Sequence, residues 1–251
     1  LTYFWFFFDL SLHDNAGLFD ALKSGNPIQF IFIFDQDILK NLQKNDLRMP
    51  FLWQTIYELK LHLKKIGSDL RVEVGSPSQV WQKLFSESGC NAIYFNQDYE
   101  PAAIERDKKI DALASNHGCQ MYAFKDQVIF EKNEILTDAE KPYTIYTPYK
   151  NKWLKTLQET HLKPYDNESL FGRFFKSQKD FPLPSLKDLG FSSSGKEQYP
   201  AAKISVECLK NYAKERDYPA LNSTSHLGLH LRFGTLSIRK AVAEAKEFSP
   251  I

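Results

Sequence analysis

Cysteine is scarce in this chain of 251 residues, with three copies at Cys90, Cys119 and Cys208 and no CxxC spacing. An odd count without that spacing argues against a disulfide scaffold and fits a reducing, cytoplasmic compartment. No apolar run approaches the ~20 residues that a membrane helix needs. The opening Leu1-Thr2-Tyr3-Phe4-Trp5-Phe6-Phe7-Phe8 lacks a basic leader and a small-residue cleavage site, so it reads as a central strand and not a signal peptide. Charge of one sign is also lacking: 32 Lys and Arg face 31 Asp and Glu, a net +1. No whole-molecule field therefore draws the chain to nucleic acid, and any such contact needs a local patch. The phosphate fingerprints GxGxxG and GxxxxGKS/T are absent, as are HExxH and a hydrolytic triad.

Hydrophobic residues make up 43% and charged residues 25%, a balance that argues against disorder. Aromatics reach 14%, with 20 Phe, and core packing is their expected use. Residues 2–8 and 28–34 are continuous apolar runs, the pattern of strands buried on both faces. Shorter strands are predicted at 70–74, 92–95 and 120–124, with an extra one at 128–130. Between them lie predicted helices: after the Asp14-Asn15 cap through Leu22, from Phe51 to Ile66, after Ser76-Pro77, and from Pro101 to Asn116. Strand–helix alternation with short links predicts an α/β fold, a five-stranded, mostly parallel, doubly wound sheet. Ligands of such sheets sit beyond the C-terminal strand ends, where Asp9 and Asp35 fall. Those two aspartates also suit plain strand-end or cap positions.

The pattern changes after residue 131. Pro142 to Pro148 is not expected to be helical, and a helix is predicted at 149–158. Residues 160–198 carry Pro164, Gly172, Pro182, Pro184, Gly190 and Gly195, the composition of a long connector. Helical patterning resumes at 200–215 and 235–247. The expected organisation is an α/β domain at 1–130, a connector at 131–199 and the first helices of a helical unit at 200–251. Exposed helix faces in that last part favour self-association.

Asp98-Tyr99-Glu100-Pro101-Ala102-Ala103-Ile104-Glu105-Arg106-Asp107 is followed by Lys141-Pro142-Tyr143-Thr144-Ile145-Tyr146-Thr147-Pro148-Tyr149-Lys150-Asn151-Lys152-Trp153. These stretches resemble the photolyase/cryptochrome family. The family's opening is matched by Leu10, Leu12-His13-Asp14-Asn15 and Leu18. Its flavin loop is matched by Thr224-Ser225, Leu227 and Leu231-Arg232-Phe233-Gly234-Thr235-Leu236-Ser237, with Arg216-Asp217 and Pro219 at the family spacing before it. The resemblance covers nearly the whole chain and implies the N-terminal part of a deoxyribodipyrimidine photolyase. Such a protein is a blue-light flavoprotein that repairs cyclobutane pyrimidine dimers in DNA by photoinduced electron transfer from FAD. An extruded lesion is cheaper to bind than a normal base, because it stacks and pairs poorly. An antenna pigment in the α/β domain is implied too, as are damaged DNA and a further helical FAD domain as partners.

The resemblance assigns FAD contacts, largely around the phosphates, to Tyr212, Thr224, Ser225, Leu227 and Gly228. Hydroxyls and free N–H groups near a helix start can hold a pyrophosphate, although the same residues also suit a helix cap and a core. Arg216 matches a residue that contacts DNA phosphate, and its plain alternative is a solvated partner of Glu215 or Asp217. No catalytic residue is expected in this chain. His226 and His230 lie four apart, but two ligands make no zinc site, and no metal is expected.

Three departures stand out. Phe7, Phe8 and Ser11 replace arginines of the family's opening, which removes bidentate contacts between the domains. His226, Gly228 and Leu229 stand where the family tends to Arg, Ser and Pro. Ala102 and Ala103 offer a pterin neither hydrogen bond nor charge, so no ordinary folate site is expected. In the family the helical domain runs roughly as long again beyond Ile251 and supplies the isoalloxazine pocket, the lesion pocket and the photoreducing tryptophans. Trp5, Trp53, Trp81 and Trp153 lie outside that part, so weak or absent FAD binding and no repair are expected of this chain alone. Two other readings stay open: a cryptochrome-like signalling protein, and a stand-alone nucleotide-binding α/β module using Asp9 and Asp35.

Overall fold

A computed structural model describes residues 1–176 and 180–248, so parts of the expected connector and last helical segment, at 177–179 and 249–251, lie outside the described residues. Five strands form one all-parallel sheet: β1 (Thr2–Phe6), β2 (Ile28–Asp35), β3 (Leu70–Gly75), β4 (Ala92–Asn96) and β5 (Gln120–Phe124), in the order β3-β2-β1-β4-β5. Every residue of β1 is buried, which explains its unbroken apolar run: the strand is central and covered on both faces. Phe4 and Phe6 point to one face with α1 (Ala16–Lys23) and α3 (Arg48–Lys65). Tyr3 and Trp5 point to the other, with α4 (Pro77–Ser88) and α5 (Pro101–Asn116). The chain reverses its direction of growth between β1 and β4, the switch point at which such sheets bind ligands.

Three expectations need correction. Residues 128–130 form no strand, although Ile129 is buried. The helix expected at 149–158 is α6 (Tyr146–Thr156), which starts before Pro148. Pro148 is its third residue, where the missing N–H would have had no intrahelical partner. Cys90 and Cys119 are joined as a disulfide with Cα atoms 5.3 Å apart. The two cysteines precede β4 and β5, and the register that pairs Ala92 with Gln120 brings them together across 29 residues. The segment expected as a connector packs against the sheet domain. Phe174, Leu189 and Phe191 enter the core beneath α3, Phe175 N donates to Ile28 O at 3.0 Å, and Trp53 Nε1 donates to Pro184 O at 2.7 Å.

The last helices are α7 (Val206–Glu215), α8 (Gly228–Arg232) and α9 (Ile238–Phe248), after the short α2 (Gln36–Leu39) earlier in the chain. Ile204, Leu227, Leu236 and Ala241 form a small apolar cluster of their own. Among the described residues no helix is long and apolar enough to cross a membrane.

Candidate functional site: a closed switch point and an open helix-loop shelf

The C-terminal ends of β1 and β4 carry a buried polar network. Asp9 follows β1 and accepts from Phe7 N at 2.9 Å, Asn15 Nδ2 at 3.1 Å and Asn96 Nδ2 at 2.7 Å. Burial pushes the Asp9 carboxyl up to about 6, with Asp126 adding to the rise and the three donors opposing it. Asn15 caps α1 by accepting from Leu18 N at 2.9 Å, and its backbone exchanges two hydrogen bonds with the side chain of Asn167. Asn96 Oδ1 accepts from Gly17 N at 2.9 Å.

The helical segment closes over this network. Arg239 of α9 is buried and bridges Asp14 at 2.8 Å and Asp126 at 2.7 Å, and it also donates to Asp14 O. Burial raises the Asp126 pKa while Arg239 opposes the rise. Leu10 N donates to Phe233 O at 3.0 Å. Gly234, at φ +63°, lies so close that a Cβ there would stand 2.5 Å from Asp9 Cα.

Phe7 and Phe8, at the end of β1, each meet a cation. The Arg106 guanidinium sits 3.7 Å from the Phe7 ring centre, and that of Arg232 sits 3.9 Å from Phe8. Arg232 also pairs with Glu100 at 2.9 Å and reaches Asp98 at 3.5 Å. Arg106 of α5 thus covers Phe7 from within the α/β unit, and Arg232 of α8 covers Phe8 from the helical segment. What remains of the crevice is a cavity of about 30 Å³, room for one or two waters and not for a nucleotide. Asp35 caps α2 by accepting from Asp37 N at 2.8 Å, and it does not line this cavity. Ala102 is exposed and Ala103 is buried in the packing face of α5.

The second place is the shelf between α7 and the loop before α8. Cys208, Tyr212 and Glu215 recur at helical spacing on one side of α7. Ser223 joins that side to the loop: its hydroxyl donates to Glu215 at 2.6 Å and its carbonyl accepts from Cys208 Sγ at 3.3 Å. Tyr212 therefore shares a face with the start of the loop that carries Thr224 and Ser225. Both of these residues are exposed, Tyr212 is 44% exposed, and Leu227 is buried in the small apolar cluster. Gly228, the exposed first residue of α8, has a Cβ direction that meets nothing within 4 Å. The ring of His226 lies 2.7 Å from Asn222 Oδ1 and 3.5 Å from the Thr224 hydroxyl.

Arg216 is solvent-exposed, 3.8 Å from Asp217 and stacked 5.7 Å from the Tyr212 ring centre. His230 belongs elsewhere: it is buried between the Thr235 hydroxyl and Pro200 O, each at 2.7 Å, a structural role. No group of metal-ligating side chains occurs among the described residues.

Arg239, Asp126, Asn96 and Asn167 were not singled out from the sequence. A lone Arg in the apolar stripe of α9 was the one available signal; Asn96 and Asn167 gave none.

Comparison with known proteins gives a consistent picture. A family model described as DNA photolyase matches residues 2–167. The chain is 28% identical to an uncharacterised 31.6 kDa protein of a Synechococcus strain, over 98% of this chain and 89% of that one. It is 29% identical to the deoxyribodipyrimidine photo-lyase of another Synechococcus strain, over 95% of this chain and 52% of the enzyme. The crystal structure of an archaeal photolyase from Sulfolobus tokodaii, described with two FAD molecules, superposes with a TM-score of 0.72 at 25% identity, covering 98% of this chain and 54% of that one. The chain thus spans about half the length of the photolyases it matches and most of the shorter Synechococcus protein.

Proposed function

Because the chain belongs to the DNA photolyase family, we propose that it serves as the N-terminal half of a blue-light flavoprotein of the deoxyribodipyrimidine photolyase type. In this reading the α/β unit is a scaffold, and the shelf at Tyr212, Thr224, Ser225, Leu227 and Gly228 holds the phosphate side of FAD. The observation that carries it is the tie through Ser223, which holds α7 and the loop in one piece. The exposed hydroxyls of Tyr212, Thr224 and Ser225 suit a pyrophosphate, and Leu227 anchors the loop from beneath. This donor set fits the phosphates of FAD and offers nothing to its isoalloxazine ring. When bound, FAD supplies the light-driven electron transfer, and the protein supplies binding and orientation. Arg216, exposed at the end of α7, is the group proposed to meet a DNA phosphate. The partners in this reading are damaged DNA and a further helical domain that completes the flavin and lesion pockets.

Equilibrium dialysis of FAD against the chain tests the shelf. A few solvent-facing hydrogen bonds support a Kd of about 100 µM to 1 mM, and Thr224→Val with Ser225→Ala is expected to weaken it severalfold. FAD binding that the double substitution leaves unchanged contradicts the assignment. The chain alone, with FAD and blue light, is expected to repair no dimer-containing oligonucleotide, and turnover there overturns the half-site reading.

A further inference from the structure

We infer that the switch-point crevice between β1 and β4 is an internal joint in this chain, and that it takes no antenna pigment, nucleotide or pterin. A sheet of this topology offers its ligand site there, and ligand pockets measure about 300 Å³ or more. The space left is about 30 Å³. Two independent features close it. The first is aromatic: Phe7 and Phe8 line it, each capped by a guanidinium, Arg106 from α5 and Arg232 from α8. The second is backbone on backbone: a Gly234 Cβ would stand 2.5 Å from Asp9 Cα and 2.6 Å from Phe8 O. Side-chain rotation cannot relieve the second contact. Opening the crevice means breaking the Leu10–Phe233 hydrogen bond and pulling Arg239 from Asp14 and Asp126. The polar groups that would face a ligand are engaged as well, since Asp9, Asn15 and Asn96 satisfy one another and the α1 N-terminus. The pigment implied by family resemblance therefore meets a site that is already filled by the protein.

The test uses riboflavin and tetrahydrofolate, two heterocycles without phosphate, so that neither reports on the Tyr212 shelf. Each is dialysed against the full chain while tryptophan emission is followed. The Trp5 ring lies 4.0 Å from that of Phe7, so a heterocycle entering beside Phe7 quenches Trp5. The expected result is no saturable binding below about 100 µM and no saturable quenching. Saturable binding whose quenching disappears in Trp5→Phe, or that Phe8→Trp weakens tenfold, overturns the inference. Binding insensitive to both substitutions lies outside the crevice and agrees with a closed joint.

Discussion

Replacing Arg239 by Met should loosen the last helices while leaving the sheet intact. The guanidinium is 8% exposed and neutralises Asp14 and Asp126, themselves only 12% and 14% exposed. Methionine keeps most of the volume and removes the charge, so two carboxylates stay buried without a counter-ion. Breaking a buried pair from one side costs about 3–5 kcal/mol. The observable loss is capped by the free energy at which 200–248 detaches from the sheet, because local opening hydrates both carboxylates. Hydrogen exchange of α9 amides should therefore accelerate about a hundredfold or more, and protease should cut the 216–226 loop faster. Urea unfolding should lose about 2 kcal/mol or more.

The loss should depend on pH in a defined direction. Burial already raises the Asp126 pKa, and removing Arg239 takes away the main opposing influence. The variant's deficit is then greatest above neutrality, where Asp126 is ionised, and shrinks as acid protonates it. A variant with unchanged α9 exchange and less than about 1 kcal/mol lost at pH 7.5 would refute the claim that this ion triad holds the joint.

Two further outcomes follow from the same network. The Asp9 pKa rises from 3.8 unfolded to about 6 folded, so the folded state holds the proton more tightly. Stability from this group is present below pH 4 and is lost as pH climbs through 6, by about 3 kcal/mol. The difference in urea stability between wild type and Asp9→Asn should carry that slope, and a difference rising with pH from 4 to 6 would contradict it. Gly234→Ala adds a Cβ into the Asp9 backbone at φ +63° and should cost about 3 kcal/mol or more from overlap and strain together. A thermal midpoint within about 2 °C of wild type would show the contact to be soft.

The sheet was legible in the sequence because burial on both faces writes itself as an unbroken apolar run. Thr2–Phe6 and Ile28–Asp35 fall where the runs predicted them, and the breakers Gly25-Asn26-Pro27 fall between α1 and β2. Loop chemistry was legible at Asn15, a cap by residue type and position. The connector's prolines and glycines mark irregular backbone, which is a different matter from solvent exposure. Phe174, Leu189 and Phe191 bury themselves without any period to announce it. The joint was the least legible part. Its pairs, Asn15 with Asn167 and Asp14 with Arg239, are separated by 152 and 225 residues, and no local pattern encodes such a partner. At Phe7 and Phe8 the family resemblance implied only a loss of arginines. That Arg106 and Arg232 approach those rings from other elements required the fold.

Competition against bound FAD tests the proposed half-site most directly. FAD is held at its half-saturating concentration with the chain, and ADP or riboflavin is added while free FAD is measured. In the proposed reading the Tyr212 and Thr224-Ser225 shelf offers its exposed hydroxyls to the phosphates and nothing to the ring, so ADP should displace FAD at concentrations similar to FAD's own Kd. Riboflavin should displace none. Displacement by riboflavin with ADP inert would put the contact on the isoalloxazine ring and contradict the assignment of this shelf to the phosphates.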